Sequence, residues 1–284
     1  MRNIAIIDET FDANITSTYH LSLQYGADHF SFAILDTIRM KYIAFKNFWY
    51  ESGIPAGMQA ENLRNLLNSE GYLSKNYKSV YFMYQSPGAL LIPGPLFNPD
   101  LAGSYFRYSG NAAPDHNILF RKVPSIDAFL VHQIPVDIYD QAMGSLSDCQ
   151  FFHQACPQID DAVLDGKNKS LPAQVYADVH PGFIDLMLLN SGQLVLYNSF
   201  VIRNKEDMIY FILYLFDQFG LSQEETPLVL SGFIEVFPDS ISILEKYVKK
   251  ISYLEFNKSY SYSYTFNNLI QHQFAHLINL ARCE

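Results

Sequence analysis

The segment Asp178-Val-His-Pro-Gly-Phe-Ile-Asp185 reads as the tip of a β-hairpin with an acid close to the turn on each strand. Val175–Val179 and Ile184–Leu189 are β-rich runs. Between them, His180-Pro-Gly-Phe183 supplies a proline with fixed φ and a glycine that tolerates positive φ, the chemistry of a tight turn. The chain continues Leu186-Met-Leu-Leu-Asn190, turns again at Ser191-Gly192, and enters a third strand, Gln193–Ile202. Downstream, Asn204 is placed to cap a helix whose first turn holds Glu206 and Asp207, favourable at the positive end of the helix dipole. That helix is apolar nearly all round, which predicts burial between layers, and Gly220 ends it. Leu228–Leu230 predicts a strand before Ser231-Gly232, Asp239-Ser240 a helix start, Ile251–Phe256 a strand, and 266–282 a last helix.

The same order occurs upstream. Tyr19–Tyr25 and Phe30–Leu35 flank Gly26-Ala-Asp-His29, and Lys41–Tyr50 completes a meander. A helix over Met58–Gly71 follows, with Leu63, Leu66 and Leu67 at helical spacing, and then a buried strand, Ser79–Tyr84. Ser31–Asp36 superposes on Asp185–Asn190 at a constant offset, and Val80–Met83 on Leu228–Ser231 at a slightly smaller one. Residues 1–17 read as a polar arm, and 86–117, broken by Pro and Gly, as loops with one short helix. Next come a strand at Ile126–Ile134, a helix from Pro135 to about Leu146, a strand at Asp148–Gln154, and a helix at Pro157–Leu164 that Gly166 ends. Gly166-Lys-Asn-Lys-Ser170 reads as a linker between lobes 1–166 and 171–284. A meander followed by α/β crossovers, present twice, predicts an α/β protein of two lobes. Each lobe is a mixed sheet with flanking helices, and a cleft lies between them.

Composition narrows the function classes. A chain of 284 residues with 49% hydrophobic and 17% charged residues is globular and long enough for two domains. The net charge of −10, without a dense basic run, argues against gripping a nucleic-acid backbone; Lys246, Lys249 and Lys250 read as a solvated helix face. The longest apolar stretch, Met208–Phe216, is too short to span a bilayer, and the N-terminal run meets Asp8 and Glu9 at once, unlike a secretory signal. The three cysteines, Cys149, Cys156 and Cys283, contain no CxxC pair, which suits reduced thiols and a cytoplasmic setting. The 20 Tyr and 22 Phe predict aromatic-rich cores, or an exposed aromatic patch for a partner.

This element order, with these residues, resembles the actin-like ATPase fold, a pair of duplicated ribonuclease H-like lobes. The family's second phosphate-binding hairpin runs acid, apolar, three glycines, two small residues, acid. Asp178, Gly182 and Asp185 keep its first acid, third glycine and last acid. Residues 126–165 resemble the pilus-assembly and cell-division branches of the fold, and 227–245 resemble its adenosine-side strand, glycine turn and helix. The chain also resembles a Bacteroides-group family of unknown function assigned this fold, and the likeness spans roughly 19–256.

The resemblance implies two facing hairpins that hold a triphosphate on backbone N–H groups, with an acid orienting Mg²⁺ or the attacking water. Several residues depart from that. Gln24 stands where the family carries an acid, Gly26 survives, Ala27 lacks the usual hydroxyl, and Asp28 brings a negative charge to the phosphate position. Two like charges about 4 Å apart repel by about 1 kcal/mol in water and more in a desolvated cleft. His180 adds a side chain where glycine is expected, Pro181 has no N–H, and Gly232 alone marks the adenosine-side turn, where the family usually has two glycines. The expectation is a vestigial nucleotide site at Gln24, Gly26, Asp178, Gly182, Asp185 and Gly232 in a cytoplasmic, non-catalytic binding or scaffolding protein with an unknown protein partner and no cofactor. The alternative is a divergent Mg·ATP-binding ATPase or sugar-kinase-like phosphotransferase using Asp178 and Asp185. Ordinary turn chemistry also accounts for the two acids.

Two other constellations are weaker. His272-Gln-Phe-Ala-His276 mimics a zinc-protease helix, but Gln273 occupies the general-base position and cannot take a proton; two surface or cap histidines are expected. His153 and Cys156 lie near Cys149 in sequence, but a strand-to-turn geometry would not converge them on a metal, and Cys156 has no activating partner nearby.

Overall fold

The computed structural model describes residues 3–50, 53–109, 113–169 and 172–283, leaving aside the side chains of 168 and 169. Its first sheet contains β1 (Ile4–Ile7), β2 (Tyr19–Tyr25), β3 (His29–Asp36), β4 (Lys41–Trp49) and β5 (Ser79–Tyr84). A smaller antiparallel sheet follows, made of β6 (Leu90–Pro93), β7 (His116–Val123) and β8 (Ala128–Pro135). The chain then rejoins the first sheet through β9 (Cys149–His153), giving the order β1-β4-β3-β2-β5-β9. The second large sheet contains β10 (Ala173–His180), β11 (Phe183–Asn190), β12 (Gln193–Val201), β13 (Leu228–Gly232) and β14 (Ile251–Tyr253), in the order β12-β11-β10-β13-β14. In each sheet an antiparallel meander is extended by two parallel strands on the side of its first strand. A last short strand, β15 (Ser261–Tyr262), pairs in parallel with β4 of the first sheet.

Strand alternation creates the layers. In β2, Tyr19, Leu21, Leu23 and Tyr25 face outward into a core with Leu63, Leu66 and Leu67 of α1 (Gln59–Ser69) and Ile138 and Ala142 of α3 (Val136–Ser145). In β10, Val175, Ala177 and Val179 face outward against α5 (Lys205–Gln218) and α6 (Ser240–Leu244). The inner faces of both sheets meet α4 (Ala155–Lys169) and α7 (Gln271–Asn279). α4 packs Cys156, Ile159, Ala162 and Val163 among Tyr81, Met83 and Phe152 of one sheet and Tyr176, Met187 and Leu189 of the other. α7 sets Phe274, Leu277 and Ile278 against Leu35, Tyr42 and Phe45. Burying a side chain of that size stabilises by about 1.5–3 kcal/mol, so the two middle helices join the lobes firmly.

Several local expectations change. The segment read as an arm contributes β1, an edge strand paired with β4. Residues 86–117 hold β6, α2 (Ala102–Ser109) and the start of β7, with Phe106 buried against Val131. Gly166 does not end α4, which continues through the segment read as a linker as far as Lys169; residues 170 and 171 lie outside the described residues. Gly166 is needed for closeness, because a Cβ there would sit 3.2 Å from Gly192 Cα in the β11–β12 turn. α5 is not enclosed: Met208, Ile212, Leu215 and Phe216 are buried, while Tyr210 is 58% exposed and Tyr214 43%. Tyrosine reads as apolar in a pattern yet keeps its hydroxyl in water. The strand expected to reach Phe256 stops at Tyr253, and the last helix is shortened by the 3₁₀ turns Tyr264–Asn268 and Leu280–Arg282 at its two ends.

Candidate functional site at the facing hairpins

The two hairpin turns lie across a cleft from each other. Gly26, Ala27 and Asp28 on one side and His180, Pro181, Gly182 and Phe183 on the other line one cavity of about 280 Å³, together with Tyr84–Pro87. Behind the second turn, period-two alternation puts Asp178 and Asp185 on the inner face as directly opposed partners of β10 and β11. Gln24 and Ser31 are opposed in the same way in β2 and β3.

Asp178 and Asp185 are 4% and 3% exposed, so their charges must be met inside the protein. Asp178 Oδ1 accepts from Ser231 Oγ at 2.7 Å, and its Oδ2 accepts from Gln158 Nε2. Asp185 Oδ2 accepts from Gln154 Nε2 at 3.2 Å and Gln158 Nε2 at 3.3 Å, and its Oδ1 accepts from Ser199 Oγ. His180 Nε2 lies 2.7 Å from Asp178 Oδ2 and 3.8 Å from Asp185 Oδ2. At that distance the imidazole and the Asp178 carboxylate are in direct contact. The His180 ring stacks on Phe183 at 4.2 Å. His276 Nε2 completes the cluster, 3.2 Å from Ser231 Oγ and 3.4 Å from Asp178 Oδ1.

The electrostatics follow from these contacts. Burial alone would raise the Asp178 carboxyl, but the charges of His180 and His276 outweigh it and hold the group well below the usual carboxylate range. Burial would lower the imidazole of His180; Asp178, then Asp185 and Asp28 across the cleft, raise it instead. Asp185 is raised by burial, only partly offset by His180 and the Ser199 hydroxyl. Asp161, on α4 and lining the same small cavity as Asp178 and Asp185, is pushed up to about 6, again by burial.

The donor set does not fit hydrated Mg²⁺. A magnesium ion demands octahedral oxygen ligands and keeps several waters. Each carboxylate oxygen of Asp178 and Asp185 already has a protein partner. The space left beside them, lined by Gln158, Ser231 and His276, is about 10 Å³, room for a single water.

The glycines divide by role. Gly182 has φ +94 with open space around its missing side chain. Gly232 has φ +78, and a Cβ there would lie 2.2 Å from Val179 O. Gly26 is not in the positive-φ region; a Cβ would crowd Gln85, His29 and Asp28 at 3.2–3.3 Å, so this glycine serves for room. Gln24 is buried with its Nε2 2.7 Å from His29 Nε2, while His29 Nδ1 lies 2.7 Å from Asp28 Oδ1. The six expected residues thus cluster around the two hairpins and the β13 turn.

Sequence reasoning missed Gln154, Gln158, Ser199 and His276. The two glutamines, four residues apart beside the apolar Ala155, Cys156 and Ile159, were the available signal. His276 was expected at a surface or cap and is 8% exposed beside Asp178, whereas His272 pairs with Glu235 at 2.9 Å. His153 hydrogen-bonds to Ser86 O at 2.9 Å and does not approach a metal-like grouping among the described residues; Cys156 instead meets Asp160 and Cys283.

Two sheets of this order, closing on facing hairpins, define a protein of the actin-like ATPase fold. The chain belongs to the family described as "Protein of unknown function (DUF3822)", whose profile matches residues 8–251. It is similar to a Bacteroides thetaiotaomicron VPI-5482 protein with actin-like ATPase fold and unknown function, with a TM-score of 0.77 and 24% identity over 86% of this chain and 94% of that one. It is also similar to a chain of the PilM–PilN type IV pilus biogenesis complex, with a TM-score of 0.61 and 10% identity over 93% and 97%. A third likeness, to the ethanolamine utilization protein EutJ from Carboxydothermus hydrogenoformans, has a TM-score of 0.53 and 6% identity over 98% and 93%. Among curated proteins no sequence matches significantly.

Proposed function

We propose that this chain is a non-catalytic binding or scaffolding protein, built on a duplicated actin-like frame, whose nucleotide site has been taken over by its own side chains. One observation carries the reading: the two inner-face acids are satisfied internally, by the imidazoles of His180 and His276 and by hydrogen bonds from Gln154, Gln158, Ser199 and Ser231. An incoming phosphate would meet Asp28 and the ring of Phe183 at the cleft, with no N–H on Pro181 to receive it. Duplication is supported by register: the bulge between Ile34 and Leu35 in the first meander and that between Leu188 and Leu189 in the second fall at the same offset as the opposed pairs Gln24–Ser31 and Asp178–Asp185. A protein partner is supported at the level of fold by the PilM–PilN neighbour. No helix among the described residues is long and apolar enough to cross a membrane; a cytoplasmic setting is part of the proposal.

Thermal melting with millimolar Mg·ATP and Mg·ADP tests it. A ligand at a hundred times its Kd stabilises the folded state by about 2.7 kcal/mol, a readily measured rise in Tm. The expected result is no shift. A shift that Asp178→Ala abolishes would replace this reading with a divergent Mg·ATP-binding ATPase or phosphotransferase, for which the glycine-bordered cavity of about 280 Å³ is the favouring feature.

A further inference from the structure

α4 carries a second group of ligating side chains, outside the hairpin site. Cys156 and Asp160, one helical turn apart, project on the same side of α4. Cys283 reaches them from the end of the 3₁₀ turn Leu280–Arg282. The two sulfurs and a carboxylate oxygen of Asp160 all lie within 4.8 Å of one another. Both cysteines are 1% exposed. Zinc bonds of about 2.3 Å to sulfur and about 2.0 Å to oxygen imply tetrahedral donor separations of about 3.5–3.8 Å. Small side-chain rotations would close the observed spacing to that.

We propose that Cys156, Asp160 and Cys283 form a three-ligand site for a soft divalent cation, with Zn²⁺ the best match. Two thiolates select a soft or borderline ion over Mg²⁺ or Ca²⁺. Asp160 already has an orienting partner, because its Oδ1 accepts from Ser125 N at 3.1 Å, leaving the other oxygen for a metal. The fourth position faces a cavity of about 290 Å³ that Asp160 and Cys283 line with Ser125, Lys167, Asn279 and Arg282. A solvent molecule or a donor from a bound ligand takes that place, the arrangement of an open zinc site. Lys167 and Arg282 bring positive charge to that cavity, where Arg282 also pairs with a further lining carboxylate, Asp161, at 3.5 Å. A disulfide between the same sulfurs is the rival. It needs a thiolate to attack an external disulfide, and both sulfurs are enclosed, at 1% exposure.

The test uses the full chain, reduced and stripped of metal by chelator, then titrated with Zn²⁺ and separately with Co²⁺. One zinc per chain is expected, with a rise in Tm and, for cobalt, tetrahedral visible bands and thiolate charge-transfer absorption. Cys283→Ser should weaken zinc binding by about tenfold or more and roughly halve the charge-transfer intensity, Asp160→Asn should weaken binding without that spectral loss, and Cys149→Ser should change neither. If Cys283→Ser does not fold, slower alkylation of wild-type Cys156 and Cys283 in the presence of zinc gives the same answer. Substoichiometric zinc, uptake unaltered in Cys283→Ser, alkylation unaffected by zinc, or a Cys156–Cys283 disulfide found by mass spectrometry in protein purified without reductant overturns the assignment.

Discussion

His180 is the residue on which the hairpin cluster depends most. Replacing it with glutamine leaves buried Asp178 with His276, 3.4 Å away, as its remaining imidazole partner, and removing one partner of a buried pair costs up to about 3–5 kcal/mol. The double substitution Asp178→Asn with His180→Gln should recover a good part of that loss; denaturant unfolding of the four variants gives the coupling directly. The pH dependence has a definite sign. The imidazole of His180 is raised from 6.5 in the folded protein, so its stabilisation is complete below about pH 6.5 and is lost as pH rises through the folded value. Asp178 is depressed from 3.8, so its contribution is present above that value and is lost as pH falls further. Stability should therefore decline as pH rises above 6.5, and His180→Gln should flatten that limb. Equal slopes in both proteins would show that His180 does not carry the charge. The glycines offer a second contrast. Gly182→Ala meets only the backbone cost of φ +94, about 1 kcal/mol. Gly232→Ala adds a 2.2 Å clash with Val179 O and should cost well over 2 kcal/mol or prevent folding.

Among the elements, α7 and β15 bind the C-terminal stretch to the first sheet. Tyr42 donates from its buried hydroxyl to Ile278 O, and Phe274 sits 4.7 Å from Phe45 in an edge-on arrangement. Phe274→Ala should cost about 3–5 kcal/mol and Tyr42→Phe about 1 kcal/mol. Hydrogen exchange in both variants should speed up in α7 and β15 before it does in β2 or β10. Much of this level was legible in the sequence. Both meanders and the order of their strands follow from β-rich runs punctuated by Gly, Pro and Asp, while the facing of their turns is what the resemblance to the actin-like fold implies. The elements that were not legible owe their state to tertiary contacts. β1 is a four-residue edge fixed by pairing with β4, β6 is too short to show a period, and α4 passes through Gly166 because Gly192 needs the room. The acids Asp178 and Asp185 could be named from a motif. Of their partners, Gln154 lies just before α4, Gln158 on α4 and His276 on α7, and only the packed layers bring them together.

For the whole molecule, the layers run helices, sheet, α4 with α7, sheet, helices, and the two middle helices belong to neither lobe alone. The apolar face of the first sheet, including Ala33, Leu35, Tyr42 and Phe45, is covered by Phe256, Tyr260, Phe266 and Phe274 from beyond residue 250. A fragment of residues 1–166 should therefore expose that face, bind a hydrophobic dye and aggregate; a well-dispersed amide spectrum from it would contradict the shared core. The parallel pairing of Ser261 and Tyr262 with Lys41 and Tyr42 extends this dependence into the time course of synthesis. During translation the first meander emerges early, but the residues that cover it leave the ribosome more than two hundred residues later. In that interval a nascent chain displays an aromatic, strand-edged surface that a chaperone must shelter or a neighbouring chain can capture, so the yield of native protein should depend on chaperone supply more steeply than its final stability would suggest.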